Sequence, residues 1–343
     1  MKLKETQAVL KQENIDFLLL VSPDPAITYF TQRKFSQAMM IISPNNARLL
    51  ITALDQWPRL ANVNVSILSR NWEKDLAFPA KSIAVNYLHL TVTCLEKLKK
   101  IFPQAGFKDY SGILTKLRIN KTADELHYLS KACAITCRAY DAALNQLSKR
   151  KLNTEQALAS FLEQEIRNQN AELAFPTIIA SGRNAAIPHH LTGNYRLKRG
   201  FLIVDFGASY KNYCADMTRT IFLGKPASAE ISRYKLLLAA QQSAISQLTE
   251  KKPFLELDQR VKKMLGPLST KFIHSLGHGI GLEVHEPPVF SSKAAKVEKN
   301  QVFTIEPGIY FKGKYGLRIE DTVAFINKPK ILTKACKELV AIP

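Results

Sequence analysis

Four acidic residues fall in two pairs, and each pair brackets a turn between runs of strand-forming residues. Asp205 and Asp216 flank the turn of LIVDFGASYKNYCADMTRT, and Glu306 and Glu320 flank that of FTIEPGIYFKGKYGLRIEDTVAF. If the first hairpin turns at Tyr210–Lys211, Asp205 and Asp216 stand directly opposed on one face; a second turn about Gly313 opposes Glu306 and Glu320 likewise. Asp205 follows Phe201-Leu202-Ile203-Val204, Glu306 follows Val302-Phe303-Thr304-Ile305, and Glu320 follows Leu317-Arg318-Ile319. A carboxylate set into such buried strands is costly unless it is paired or binds metal. Four of them on adjacent strand faces repel one another strongly without a cation. The pattern predicts a metal site.

A nitrogen donor lies between the pairs. His278 occupies HSLGHGIGLEVHE, where Gly277, Gly279 and Gly281 allow the backbone to come close to a site. His274 and His278 have the i, i+4 spacing of a zincin helix, but Ser275 stands where that motif needs Glu, and the flanking glycines oppose a regular helix. One nitrogen and four carboxylates form a hard, oxygen-rich set, suited to two divalent ions such as Mn²⁺, Co²⁺ or Zn²⁺. Such a pair activates water and polarises a carbonyl or phosphoryl oxygen. At this level amide and phosphate ester hydrolysis both remain open.

The elements that position these residues read as two domains within 343 residues, 1–115 and 116–343. The first alternates helix and strand around a mixed sheet, with strands at Asp16–Val21, ITYF, AMMIIS, ARLLIT, Val65–Leu68 and Ser82–Val85 and a helix at Val92–Ile101. Asp24, Asp55 and Asp75 read as turn or cap residues. Residues 108–122 form a polar, basic crossing segment, ending where Thr122 and Glu125 make a capping box. Helices follow to about Ser148, at about Thr154–Asn168, Ala229–Leu248 and Leu257–Leu265. Helices outside and antiparallel hairpins inside make the second domain α+β.

Composition limits the alternatives. No apolar stretch approaches the ~20 residues that span a bilayer, and Phe17–Val21 is too short for a signal segment, so a cytoplasmic protein without a membrane partner is expected. Five scattered cysteines without a CxxC pair fit reduced thiols. The net charge of +19 raises acidic substrates or nucleic acid as partners. No RNA-binding motif accompanies the dispersed lysines, so a solvated basic surface is expected instead.

The segments FPTIIASGRNAAIPHH, VDFGASYKNYCADMTRT, HSLGHGIGLEVHEPP, TIEPGIY and GLRIEDT, in that order over about residues 175–322, resemble the pita-bread metallopeptidase family of Xaa-Pro aminopeptidases, prolidases and methionine aminopeptidases. DFLLLVSPDPAITYFT resembles the small N-terminal domain of the proline-specific branch. The resemblance implies an N-terminal α/β creatinase-like domain before a pita-bread α+β catalytic domain. It implies that Asp205 chelates one metal, that Asp216 and Glu320 bridge both, and that His278 and Glu306 bind the other. It gives Glu306 the proton of the nucleophilic water, and places His189 and His285 at the scissile carbonyl. His189, directly after Pro188, is preferred to His190. His274 is expected by the substrate amine or proline pocket, Tyr310 as a supporting residue, and Arg318 as the group orienting Asp216 or a substrate carboxylate. Arg183 is expected to face solvent.

The function so implied is cleavage of the Xaa-Pro bond of short proline-containing peptides, a prolidase acting on dipeptides being slightly preferred to an aminopeptidase acting on longer ones. A homodimer with the N-terminal domain at its interface is expected. The rival from another class is a non-catalytic, basic RNA- or ribosome-binding relative, which has little need of all five ligand residues.

Overall fold

In the computed structural model, which describes residues 2–76 and 78–343, the chain divides into two units, Met1–Arg118 and Ile119–Pro343. The first is built on a six-stranded sheet in the order Asn64–Ile67, Ala47–Ile51, Ala38–Ile42, Phe17–Val21, Ser82–Val85, Gly106–Asp109. Its central strand is apolar at every position because both sheet faces are covered. Leu18 and Leu20 enter one core, and Phe17 and Leu19 the other.

Two expectations for this unit are corrected. ITYF is not a strand but part of the helix Pro25–Thr31. Asp24 caps that helix, accepting from the Ala26 N–H at 2.8 Å, and Pro25 sits in its first turn, where a missing N–H costs nothing. The segment 108–122 is not merely a crossing: it contains the helix Ser111–Ile119, whose Ser111 and Leu114 are buried. Its basic residues obscured that short apolar stripe.

In the second unit, Thr122 and Glu125 close the expected capping box, and the helix Ala123–Ser148 follows. Helices Glu155–Arg167, Ser228–Ser246 and Phe254–Leu265 come later. A four-stranded sheet runs in the order Ala341–Ile342, Met217–Leu223, Gly200–Phe206, Ile178–Ser181. A five-stranded sheet runs Glu286–Val289, His278–Gly279, Gln301–Ile305, Asp321–Phe325, Pro329–Ile331.

Strand alternation assigns each face a task. Leu202, Val204 and Phe206 pack into the core beneath the helices Ala123–Ser148 and Glu155–Arg167. Asp205, between Val204 and Phe206, therefore points away from that core. In the same way Phe303, Ile305, Val323 and Phe325 enter a second core, with residues of the helices Ser228–Ser246 and Phe254–Leu265. Thr304 and Thr322 lie on the opposite face, and Glu306 and Glu320 continue that face. No helix among the described residues is long and apolar enough to cross a membrane.

Candidate metal centre

The first hairpin corrects the expected pairing. Strand Gly200–Phe206 pairs antiparallel with Met217–Leu223 in a register that sets Asp205 opposite Thr218, not Asp216. At the tip Tyr210 pairs with Tyr213, so the turn is Lys211–Asn212, with φ of 51° and 70°. Positive φ at both central residues defines a type I′ turn, whose twist suits a hairpin and which asparagine adopts more readily than tyrosine. Asp216 is thus displaced by two residues from the partner of Asp205. A shift of two keeps a side chain on its face, since the strand period is two, and both carboxylates still line one cavity.

In the second hairpin one register runs through two ladders. Ile305 pairs with Asp321, and Gly308 with Arg318, which stands Glu306 across from Glu320. Between the ladders the backbone bonds elsewhere. The Glu306 N–H donates to Leu276 O at 2.8 Å, and the Glu320 N–H to Thr218 O at 3.0 Å. The second bond joins the two hairpins directly.

His278 meets the acids from a third strand. Its Nδ1 lies 3.1 Å from Gly279 O; a carbonyl only accepts, so Nδ1 carries the proton and Nε2 presents its lone pair. Burial holds this ring below the ordinary histidine pKa, keeping it neutral. Nε2 faces Glu306 Oε1 at 3.3 Å and Asp216 Oδ2 at 3.6 Å. A lone pair directed at carboxylate oxygens is repulsive unless a cation lies among them.

Three further atoms make the same demand. Asp205 Oδ1, Asp216 Oδ1 and Glu320 Oε1 are buried without a hydrogen-bond partner. Asp216, His278 and Glu320 each offer a donor atom within 4.8 Å of the other two. Burial first, then the Glu320, Asp205 and Glu306 charges, push Asp216 well above the usual carboxylate range. Glu320 is raised by burial and by Glu306 and Asp205, and Glu306 chiefly by burial, with His274 and Arg318 opposing. The donor set fits divalent cations: orphaned oxygens and one imidazole nitrogen lie together, and a single guanidinium, that of Arg318, faces four carboxylates. Asp205 and Glu306 fall outside the tight triple, though both line the same cavity, which has a volume of about 940 Å³.

Arg318 serves Asp205 rather than Asp216, the first of its two expected partners, the other being a substrate carboxylate. Its Nη2 donates to Asp205 Oδ2 at 2.5 Å, Nε to Thr218 Oγ1 at 2.9 Å and Nη1 to the Tyr310 hydroxyl at 2.8 Å. Burial opposes its charge, but Tyr310, Asp205, Glu320 and Glu306 outweigh burial and hold it protonated. The Tyr310 hydroxyl is pushed up to about 12, mainly by burial, so it stays a neutral donor. It lies 3.0 Å from His274 Nε2, while His274 Nδ1 lies 2.8 Å from Ser275 O. The proton on Nδ1 leaves Nε2 as acceptor, so the chain runs from Arg318 through Tyr310 to His274. Burial lowers the His274 pKa.

His189, His274 and His285 all line the cavity. His190 turns elsewhere: it is buried, with Nε2 2.8 Å from Glu155 Oε2. Glu155 also accepts from the Ser181 N–H at 2.8 Å and Asn184 Nδ2 at 2.9 Å, so it anchors the loop that presents His189. Arg183 is exposed. The flanking glycines admit neighbouring chain rather than a ligand. A Cβ at Gly277 would lie 2.0 Å from Thr304 O, and one at Gly279 2.3 Å from Pro287 O.

Glu155, Thr218 and Thr304 support the site and were not found by reading the sequence. Thr218 donates to Glu320 Oε2 at 2.7 Å. Thr304 accepts from the His278 N–H at 3.1 Å and donates to Glu306 Oε1 at 3.2 Å. The available signal was positional: both threonines point to the same side as an adjacent i±2 acid.

Comparison with known proteins follows the same division. Residues 127–326 match the model of metallopeptidase family M24, and residues 2–120 that of the creatinase/prolidase N-terminal domain. A Xaa-Pro dipeptidase of Pyrococcus furiosus is 38% identical, over 73% of each chain. One of Pyrococcus horikoshii is 32% identical over 99% of this chain and 98% of the other. The crystal structure of the prolidase from Pyrococcus horikoshii OT3 superposes with a TM-score of 0.92 at 31% identity, covering 99% of both chains.

Proposed function

The chain belongs to metallopeptidase family M24 and carries a creatinase/prolidase N-terminal domain, and from that premise we propose that it is a Xaa-Pro dipeptidase working with two divalent ions. The observation that carries this is the convergence of Asp216 and Glu320, each with a buried unpartnered oxygen, on His278, whose Nε2 presents its lone pair. A Xaa-Pro dipeptidase is among the relatives that match this chain through both domains.

Asp205, Asp216, His278, Glu306 and Glu320 would hold the ions; Mn²⁺, Co²⁺ and Zn²⁺ suit these donors. Ions held there supply Lewis acidity toward a carbonyl oxygen and toward water. Glu306 accepts a proton from the attacking water and passes it to the proline nitrogen as the C–N bond breaks. His285 and His189 donate hydrogen bonds to the carbonyl oxygen as it becomes anionic. His274, held neutral by burial, borders the substrate. Arg318 holds Asp205 in place through its hydrogen bond. On the same reading the protein works in the cytoplasm as a homodimer, its high charge belonging to a solvated surface.

The test is turnover of Ala-Pro and Ala-Pro-Ala by protein reconstituted in turn with Mn²⁺, Co²⁺ and Zn²⁺. Cleavage of Ala-Pro alone is expected. Cleavage of both would make it an aminopeptidase, and cleavage of neither would remove the peptidase assignment. Light scattering with and without single-stranded RNA checks the dimer and the absence of a nucleic-acid complex.

A further inference from the structure

Lys121 stands in the polar stretch before the capping box, and nothing in the chemistry above uses it. The structure nevertheless buries its side chain completely. Lys121 Nζ lies 2.7 Å from Glu286 Oε1, with side-chain exposures of 0% and 3%. Desolvating two charges is expensive, and such pairs contribute little net stability compared with apolar packing. A buried pair is better explained by the geometry it enforces.

That geometry leads to His285, the residue before Glu286. Glu286 pairs with Gly279, directly after His278, across an irregular ladder step. The His278 and His285 rings meet edge to face, 4.3 Å between centroids. At the other end Lys121 is itself fixed, its backbone N–H donating to Asn300 O at 2.7 Å and its Nζ lying 3.3 Å from Ile119 O. The loop is also fitted around the carboxylate. A Cβ on Gly281 would lie 2.3 Å from Glu286 Oε1, while the Glu283 N–H reaches Glu286 Oε2 at 3.4 Å.

We propose that Lys121 is a positioning residue, which through its buried ion pair with Glu286 holds the turn that aims His285 into the cavity. The proposal rests on the proposed function only in giving His285 the scissile carbonyl. Lys121 touches no substrate. Without its ammonium the Glu286 carboxylate loses its 2.7 Å ion pair, and the hold of that pair on the segment 283–286 goes with it.

Two measurements on the full-length protein, reconstituted with Mn²⁺, Co²⁺ and Zn²⁺ in turn, test this. Hydrogen exchange followed by mass spectrometry should show faster exchange in Lys121→Met for peptides covering residues 280–290, by about tenfold. Peptides from the helix Ser228–Ser246 should be unchanged. Turnover of Ala-Pro should fall by about 10- to 100-fold in kcat, the scale of a displaced catalytic group, with KM within about twofold. In a His285→Ala background the same substitution should change kcat by less than about twofold, because the two act as one unit. Should Lys121→Met not fold, Glu286→Gln, which keeps the shape of the side chain, takes its place in both arms. Unchanged exchange over 280–290, or an equal kcat loss in both backgrounds, would overturn the proposal. Failure of the unmodified protein to cleave Ala-Pro would instead remove the proposed function, and the exchange arm would still decide Lys121.

Discussion

Thr218 donates its hydroxyl to Glu320 Oε2 at 2.7 Å, and its own Oγ1 accepts from Arg318 Nε at 2.9 Å. Because Thr218 is also the ladder partner of Asp205, one hydroxyl fixes acids from both hairpins. Thr218→Val keeps the shape and removes the relay, leaving Arg318 Nε and Glu320 Oε2 without that bond. The expected cost is about 1–3 kcal/mol of stability and about 10- to 100-fold in metal affinity. Chemical denaturation and a calorimetric Mn²⁺ titration measure these; unaltered affinity would reduce Thr218 to a packing residue.

Asp216 gives a prediction of opposite signs. Its carboxyl is raised by burial and by three neighbouring acids. In metal-stripped protein a raised folded pKa contributes stability below the unfolded value of about 4. That stability is lost as pH climbs through the folded pKa. Asp216→Asn removes the loss, so at pH 8 in chelator the variant should denature at higher urea than the wild type, while the difference shrinks towards pH 4. The same variant, like Asp216→Ala, should lose metal binding and turnover together. Near-normal turnover would refute the ligand assignment.

Tyr310→Phe removes the hydroxyl between Arg318 and His274. One such bond in the transition state is worth about 0.5–1.5 kcal/mol, a loss of roughly 2- to 12-fold in kcat/KM. The hydroxyl donates to His274 Nε2 and so favours the neutral ring. Without it the ring protonates more readily, and the acid limb of kcat/KM should move to higher pH. A limb that stays put would mean that His274 does not report in that range.

Gly277→Ala would set a methyl 2.0 Å from Thr304 O, and backbone cannot step aside cheaply. Since Thr304 joins His278 to Glu306, the variant should lose about 1–3 kcal/mol, and bind metal more weakly. Gly112→Ala, with nothing within 4 Å and inside the helix Ser111–Ile119, should instead gain about 0.5–1 kcal/mol. Thermal melts of both separate crowding at the site from a general intolerance of glycine replacement.

Much of the site could be read from side-chain alternation alone. The two acid pairs, the strands that bury them and the intervening histidine follow from a period of two and from the cost of burying charge. The exact register was less legible. Asp205 opposite Thr218 depends on which pair of residues adopts positive φ at the hairpin tip, and Tyr-Lys and Lys-Asn both precede a strand-like run. ITYF was misread for a related reason: β-branched and aromatic residues favour strand, but Asp24 and Pro25 begin a helix there.

The partners of the charged groups were not legible at all. Arg318 reaches Asp205 across 113 residues of chain, Lys121 reaches Glu286 across 165, and Glu155 reaches His190 across 35. No local rule selects among the chain's 48 basic and 29 acidic residues for such pairs. The sequence by itself determined the residue types of the site, the faces they occupy and the family they belong to, because alternation and motif spacing are local. Tertiary structure alone decided which carboxylate Arg318 holds, which histidine turns to Glu155, and what anchors the His285 turn. Buried charges take the partner that packing brings within hydrogen-bond reach, and packing is a property of the whole fold.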